Sequence, residues 1–313
     1  MKILFMGTPD FAAVTLKAMI DAGLNIVGVV SQPDKPKGRG HKLVPTDVKA
    51  AALEANLTVF QPEKLRNGEL QDVLDDLMPD LIVVAAYGKI LPDYIINYPK
   101  YGCVNVHASL LPKYRGAAPI QWAIINGEKI TGVTTMKMDS GLDTGDILLK
   151  AETEIGEYET AEELFDRLAV IGGELLIKTI EGLENGTVTP VPQEHEKATS
   201  VSMISRETGV IDWTKSAREI SKLICGMNSW PLASTSYKGG TLKIVTAKVC
   251  ADNSDKAPGT ILSLDKGKGL KIACGEGTLY AVMVQFPNSK KMNVEDYARG
   301  HEIETGIILG QED

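Results

Sequence analysis

Between Asn105 and Ile120 the chain reads NVHASLLPKYRGAAPI, with an amide and an imidazole two residues apart. In an extended segment, side chains two apart share a face. Val104 and Val106 then point one way, and Asn105, His107 and Ser109 the other. Two polar groups on one face of a buried strand cost stability unless each finds a partner. An amide can donate to a developing oxyanion. An imidazole can move a proton or, when charged, stabilise that oxyanion. Downstream, DSGLDTGD gathers Asp139, Asp143 and Asp146 in one loop. Acids in such loops commonly cap turns. Asp143 lies between Leu142 and Thr144, inside a pair of glycines, and is the acid best placed to reach His107 from the neighbouring strand end. An Asn, a His and an Asp without a paired nucleophile point to direct addition at a carbonyl. Ser109 leads into a proline turn and reads as structural.

The elements that must hold these residues follow from periodicity. Short β-rich runs occur at KILFMG, NIVGVV, DLIVVAAY, CVNVHAS and GVTTMKM. Helical patterns separate them at DFAAVTLKAMIDAG, TDVKAAALEAN, GELQDVLDDLM and APIQWAIING, and a long one follows at TAEELFDRLAVIGGELLIKTIEGLENG. This alternation predicts an α/β fold with a Rossmann-like parallel sheet covered on both faces, and ligands beyond the carboxyl ends of its strands. Residues 190–206 are rich in proline and polar residues without a helical stripe and read as a linker. After it come a helix and short strands with glycine turns, a pattern that predicts a smaller OB-like β-barrel. The expected division is therefore a catalytic domain at 1–189, a linker at 190–206 and a second domain at 207–313. Trp213 and Trp230 could stack on bases, but aromatics at a domain junction read more readily as core.

Several chemistries are excluded. The first loop, GTPDF, has one glycine where a dinucleotide fingerprint needs three, and Asp10 stands where a phosphate would sit. Thr8 reads as the N-cap of the helix that follows and Pro9 as its first residue. No Walker sequence occurs. Cys103, Cys225, Cys250 and Cys274 form no Cys-x-x-Cys pair, so neither a metal site nor a disulfide framework is expected, and reduced thiols fit a cytoplasmic protein. No signal-peptide core or membrane span is expected. The net charge of −8 argues against coating nucleic acid as a whole. From Glu207 onward 13 basic residues meet 13 acidic ones, against 20 and 28 before it, so the acidity belongs to the first domain.

One stretch is locally basic. SQPDKPKGRGHKLVPTDVK (31–49) holds Lys35, Lys37, Arg39, His41, Lys42 and Lys49 against Asp34 and Asp47. Its Pro and Gly content forbids a helix through the middle. By itself it reads as a solvated surface loop, as charge runs usually are, with RNA binding as the alternative.

The GTPDFA start, the NVHASLLPKYRGAAPIQWAI block and MDSGLDTGD together resemble the folate-dependent formyltransferases, and among them those acting on methionyl-tRNA. The resemblance covers essentially the whole chain, including IDW near Asp212 and WP near Trp230. It implies that Asn105, His107 and Asp143 are catalytic and that Ser109, Leu110, Leu111 and Pro112 contact tetrahydrofolate. It implies 10-formyltetrahydrofolate as donor and the α-amino group of methionine on initiator tRNA as acceptor. It assigns the basic loop, through Lys35, Lys37, Arg39 and Lys42, to the acceptor end of the tRNA, with Arg39 as the critical contact. A monomer needing no metal is expected. Relatives acting on glycinamide ribonucleotide or an amino sugar nucleotide share the Asn-x-His and SLLP elements. The basic loop and the second domain favour tRNA. A non-catalytic folate- or RNA-binding regulator would not need the trio.

Overall fold

The computed structural model describes residues 1–37, 42–250 and 252–311. Packing divides the chain into two units, 1–116 with 130–153 and 165–201, and 117–129 with 154–164 and 202–313.

The first unit opens with β1 (Ile3–Gly7), α1 (Asp10–Asp21) and β2 (Ile26–Val30), then a hairpin of β3 (Lys35–Lys37) and β4 (Lys42–Val44). It continues through α2 (Asp47–Glu54), β5 (Val59–Phe60), α3 (Gln71–Leu77), β6 (Leu81–Ala85), α4 (Asp93–Ile96), β7 (Cys103–His107) and β8 (Arg115–Gly116). Helix α5 (Pro119–Ile125) groups with the second unit. Then come β9 (Ile130–Lys137), β10 (Asp146–Glu154), α6 (Ala161–Glu184) and β11 (Ser200–Val201).

The main sheet has the order β10-β9-β7-β6-β1-β2-β5. Its β1, β2, β5, β6 and β7 run parallel. Every residue of β1 and β6 is buried, as a strand covered on both faces requires. The strand alternation sends Leu4, Met6, Ile82 and Val84 into one core with Leu70, Leu74 and Ile95. Gly7 is a packing glycine: a Cβ there would lie 2.6 Å from the Cβ of Ala12 and 2.9 Å from the carbonyl of Ala85.

Two expectations change here. Thr8 does not cap α1. Its hydroxyl donates to the carbonyl of Tyr87 at 3.0 Å, and Pro9 holds the N-cap position without a side-chain bond. The GVTTMKM strand is not parallel. β9 pairs with β7 antiparallel, with Val104 opposite Lys137 and His107 opposite Thr134. An apolar run shows that a strand is buried but not which way it points. The carboxyl end of β9 therefore lies beside the amino end of β7, away from His107.

The stretch read as a linker is ordered against the first unit as far as Val201. Val191 bridges Ile147, Gln193 is buried, and β11 lies parallel to β8. Proline and polar content removes a helical stripe but does not prevent a chain from docking through its backbone.

In the second unit, α7 (Ala217–Gly226) starts with a capping box between Ser216 and Glu219. β12 (Ala233–Tyr237), β13 (Gly240–Cys250), β14 (Ile261–Asp265), β15 (Gly269–Ala273), β16 (Thr278–Gln285), β17 (Met292–Asn293) and α8 (Val294–Ala298) follow. The strands form an antiparallel sheet, β12-β13-β16-β15-β14, with β17 beside β16. No ladder joins β12 to β14 among the described residues, and an OB-like barrel is itself only partly closed. Ile220, Ile224, Leu242, Ile244, Leu270 and Val284 share its core. Trp213 is buried there, its Nε1 donating to Thr235 Oγ1 at 3.0 Å. Trp230 is not a core residue and stands 56% exposed.

Candidate active site

Strand β7 ends where the chemistry was expected. Val104 and Val106 are buried, His107 is 7% exposed and Asn105 is half-buried. No hydrogen bond ties the Asn105 side chain to another described residue, so its N–H groups stay open to a ligand.

The ring of His107 sits between two acceptors. Nε2 lies 3.0 Å from the carbonyl oxygen of Tyr114, and Nδ1 lies 3.7 Å from Asp143 Oδ2. A carbonyl only accepts, so Nε2 carries the hydrogen. In the neutral ring Nδ1 is then a lone pair facing a carboxylate. A proton taken up at Nδ1 lets the ring donate to both acceptors. The geometry thus suits an imidazole that gains a proton on the Asp143 side and passes it on.

Asp143 arrives by a longer route than from an adjacent strand end. The loop 138–145 begins beside the amino end of β7, where Met138 N donates to Cys103 O at 2.8 Å, and returns toward His107. Within it Asp143 adopts φ +53°, a left-handed conformation that Asp tolerates better than most residues. Its Oδ2 accepts from Gly116 N at 2.8 Å, which aims the carboxylate. Asp139 is the turn cap of this loop, accepting from Gly141 N at 3.0 Å and Thr144 Oγ1 at 2.6 Å.

The SLLP turn leaves β7 pinned from inside. Ser109 Oγ donates to Lys113 O at 2.7 Å, the structural use expected of it. Thr134 on β9 donates to Ser109 O at 2.7 Å and accepts from Leu111 N at 3.1 Å. Ser109 and Leu111 are buried, while Leu110 and Pro112 keep part of their apolar surface in the open. That combination of fixed backbone and accessible apolar surface beside an open amide suits a ligand with an apolar body and a few polar groups.

The basic stretch forms the β3–β4 hairpin, with Lys35 opposite Val44 and Lys37 opposite Lys42. Arg39 lies outside the described residues. The hairpin follows β2, three strand positions from β7, or about 14 Å at ordinary strand spacing. Lys49 is not a free cation, since its Nζ donates to Asp34 Oδ2 and Gln61 Oε1, both at 2.7 Å. Lys49 and then Gln61 hold the Asp34 carboxyl below its ordinary value.

Sequence reasoning missed Gln193 and Arg115. Gln193 Nε2 donates to the carbonyls of Asp143 at 2.9 Å and Gly145 at 2.7 Å. Its Oε1 accepts from Arg115 Nε at 3.1 Å and from a terminal nitrogen of Arg115 at 2.7 Å. No local signal marks Gln193, which lies 50 residues from Asp143.

Comparison with known proteins bears on both units. The sequence profile described as formyl transferase matches residues 1–180, and that described as formyl transferase, C-terminal domain, matches 203–302. A protein of Acetivibrio thermocellus named methionyl-tRNA formyltransferase is 50% identical over 312 residues, covering 99% of this chain and 100% of that one. Two solved structures share the fold at low identity. An N-formyltransferase of Helicobacter canadensis, in complex with folinic acid and dTDP-3-aminofucose, has a TM-score of 0.66 at 19% identity, covering 93% of this chain and 100% of that one. HypX of Aquifex aeolicus, with tetrahydrofolic acid, has a TM-score of 0.63 at 17% identity, and 95% of this chain spans 46% of it. With profile matches over both halves and half of all aligned positions identical along a full-length relative, this chain belongs to the formyl transferase family.

Proposed function

We propose that this protein transfers the formyl group of 10-formyltetrahydrofolate to the α-amino group of initiator methionyl-tRNA, releasing N-formylmethionyl-tRNA and tetrahydrofolate. The observation that carries this reading is the 50% identity, over 99% of the chain, to a relative named for that activity. The donor supplies an activated formyl carbon.

The acceptor amine, with a value near 7.7, is roughly one-sixth neutral at pH 7 and attacks without a strong base. Asn105 donates to the oxygen that takes up charge as the amine adds. His107 accepts the amine's proton on its Asp143 side and delivers it to the departing nitrogen. Asp143 steadies the charged ring meanwhile. Ser109, Leu110, Leu111 and Pro112 form the turn against which the folate ring lies, Leu110 and Pro112 offering the accessible apolar surface and the buried Ser109 and Leu111 holding it in place. No covalent enzyme intermediate is required.

Lys35, Lys37, Arg39 and Lys42 are assigned to the acceptor end of the tRNA. The functional division is set after the docked stretch, with chemistry up to residue 201 and further tRNA contact in the C-terminal domain at 207–313. We assign the protein to the cytoplasm, as a monomer. No helix is long and apolar enough to cross a membrane among the described residues.

The test offers 10-formyltetrahydrofolate with methionyl-tRNA, glycinamide ribonucleotide, an amino sugar nucleotide or water in parallel. Formylation of methionyl-tRNA alone is expected. Preference for another amine would replace the acceptor, and donor hydrolysis without any acceptor would replace the transfer.

A further inference from the structure

The stretch from Val191 to Val201 crosses the back of the site as a strap and touches both loops that supply partners to His107 and Asp143. At one end Val191 N and O pair with Ile147 at 2.9 and 2.8 Å, just past the Asp143 loop. At the other, Thr199 N donates to Pro112 O at 3.3 Å, and Thr199 Oγ1 accepts from Tyr114 N at 2.8 Å. β11 then pairs with β8, which carries Gly116. Tyr114 and Gly116 are the residues whose backbone groups meet His107 Nε2 and Asp143 Oδ2.

Gln193 is where the strap joins these loops. It is 5% exposed, and its partner Arg115 is 8% exposed. A guanidinium can only donate, and so can an amide NH2, while carbonyls only accept. The Gln193 amide therefore has one possible orientation: Oε1 toward Arg115, Nε2 toward the carbonyls of Asp143 and Gly145. Arg115 also reaches His195 Nδ1 at 3.2 Å, so that nitrogen must be the acceptor. None of the ion pairs among the described residues involves Arg115. Its buried charge is satisfied by the strap instead.

We propose that Gln193 is a positioning residue for the formyl transfer: by tying the Asp143 loop to the Arg115 loop, it holds the Asp143 carboxylate at its working distance from His107. This rests on the assignment of Asp143 above. It adds a constraint that the three site residues do not contain, because Gln193 touches neither substrate nor the reacting atoms.

Gln193→Glu separates the two halves of the contact. The carboxylate still satisfies Arg115, so the fold is kept, but it cannot donate to the carbonyls of Asp143 and Gly145. The expected result is a loss in kcat approaching 100-fold, the scale of a misplacement of about 1 Å, with KM for folate and tRNA within about twofold of wild type. Hydrogen exchange at the Gly116 amide should quicken. Placed on Asp143→Asn, the same change should cost less than about threefold, because residues acting as a unit are non-additive.

A merely structural Gln193 would give equal losses on both backgrounds. That result, or wild-type kcat in Gln193→Glu beside an impaired Asp143→Asn, would overturn the proposal and leave the site assignment standing. An unimpaired Asp143→Asn would overturn both. Should Gln193→Glu not fold, the pair Arg115→Leu/Gln193→Met removes the buried cation with its acceptor and is read by the same cycle and outcomes.

Discussion

His107 meets a fixed acceptor on one side and a carboxylate at 3.7 Å on the other, so its two nitrogens are not interchangeable. His107→Ala and Asp143→Ala should fold normally and lose most turnover, as read by circular dichroism beside initial rates. The Asn105 side chain makes no hydrogen bond to another described residue, so Asn105→Ala leaves the ladder intact and isolates oxyanion stabilisation. It should lower kcat about 100- to 1000-fold with little change in stability. Turnover near wild type in that variant would remove Asn105 from the chemistry. Thr134 is the contrasting case: it lies opposite His107 on the neighbouring strand, but it is buried and both of its bonds go to the backbone of the SLLP turn. Thr134→Val keeps its shape and strands a buried N–H at Leu111. Thermal or urea unfolding should show a loss of about 1–3 kcal/mol, with kcat reduced less than in the site variants.

At the scale of elements, the antiparallel β9 and the docked strap decide where Asp143 comes from. The β3–β4 hairpin is anchored at its base by Lys49, Asp34 and Gln61. The Asp34 carboxyl is depressed by the bond from Lys49 first and Gln61 second. A depressed carboxyl contributes stability that is present above its unfolded value and lost as pH falls through the folded one. The anchor should therefore hold through neutral pH and give way only in acid, below about pH 4. Asp34→Asn should flatten the corresponding part of the acid transition by lowering stability slightly at neutral pH, where the carboxylate is charged, and little in acid. Arg39→Ala concerns the same basic stretch of the sequence. It should raise KM for methionyl-tRNA while leaving a minimal amine acceptor nearly unaffected.

For the whole molecule, a net charge of −8 and a nucleic-acid substrate are compatible only if contact is local. Affinity for tRNA should then fall steeply and log-linearly with salt, through counterion release. A flat response would argue against an RNA substrate. The thiols report on the fold as a whole. Burial pushes Cys103 and Cys274 up to about 12 and raises Cys225 as well. Cys250 is the half-buried one. Iodoacetamide at pH 8 should label residue 250 in the native protein and all four cysteines after unfolding, as read by peptide mass mapping.

Periodicity and side-chain chemistry are properties of short stretches. The buried runs of β1, β6 and β7, the helices between them and the pairing of Asn105 with His107 on one face were therefore legible in the residues alone. The residues also pointed to Asp143 as the partner of His107, and the resemblance added the Ser109–Pro112 turn as a ligand wall. Strand direction, the return of the 138–145 loop, the exposure of Trp230 and the junction at Gln193 were not legible. Each depends on groups far apart in the chain finding complementary partners once the core has closed. An amide's chemistry is written at its own position, but which carbonyls it meets is decided only by packing.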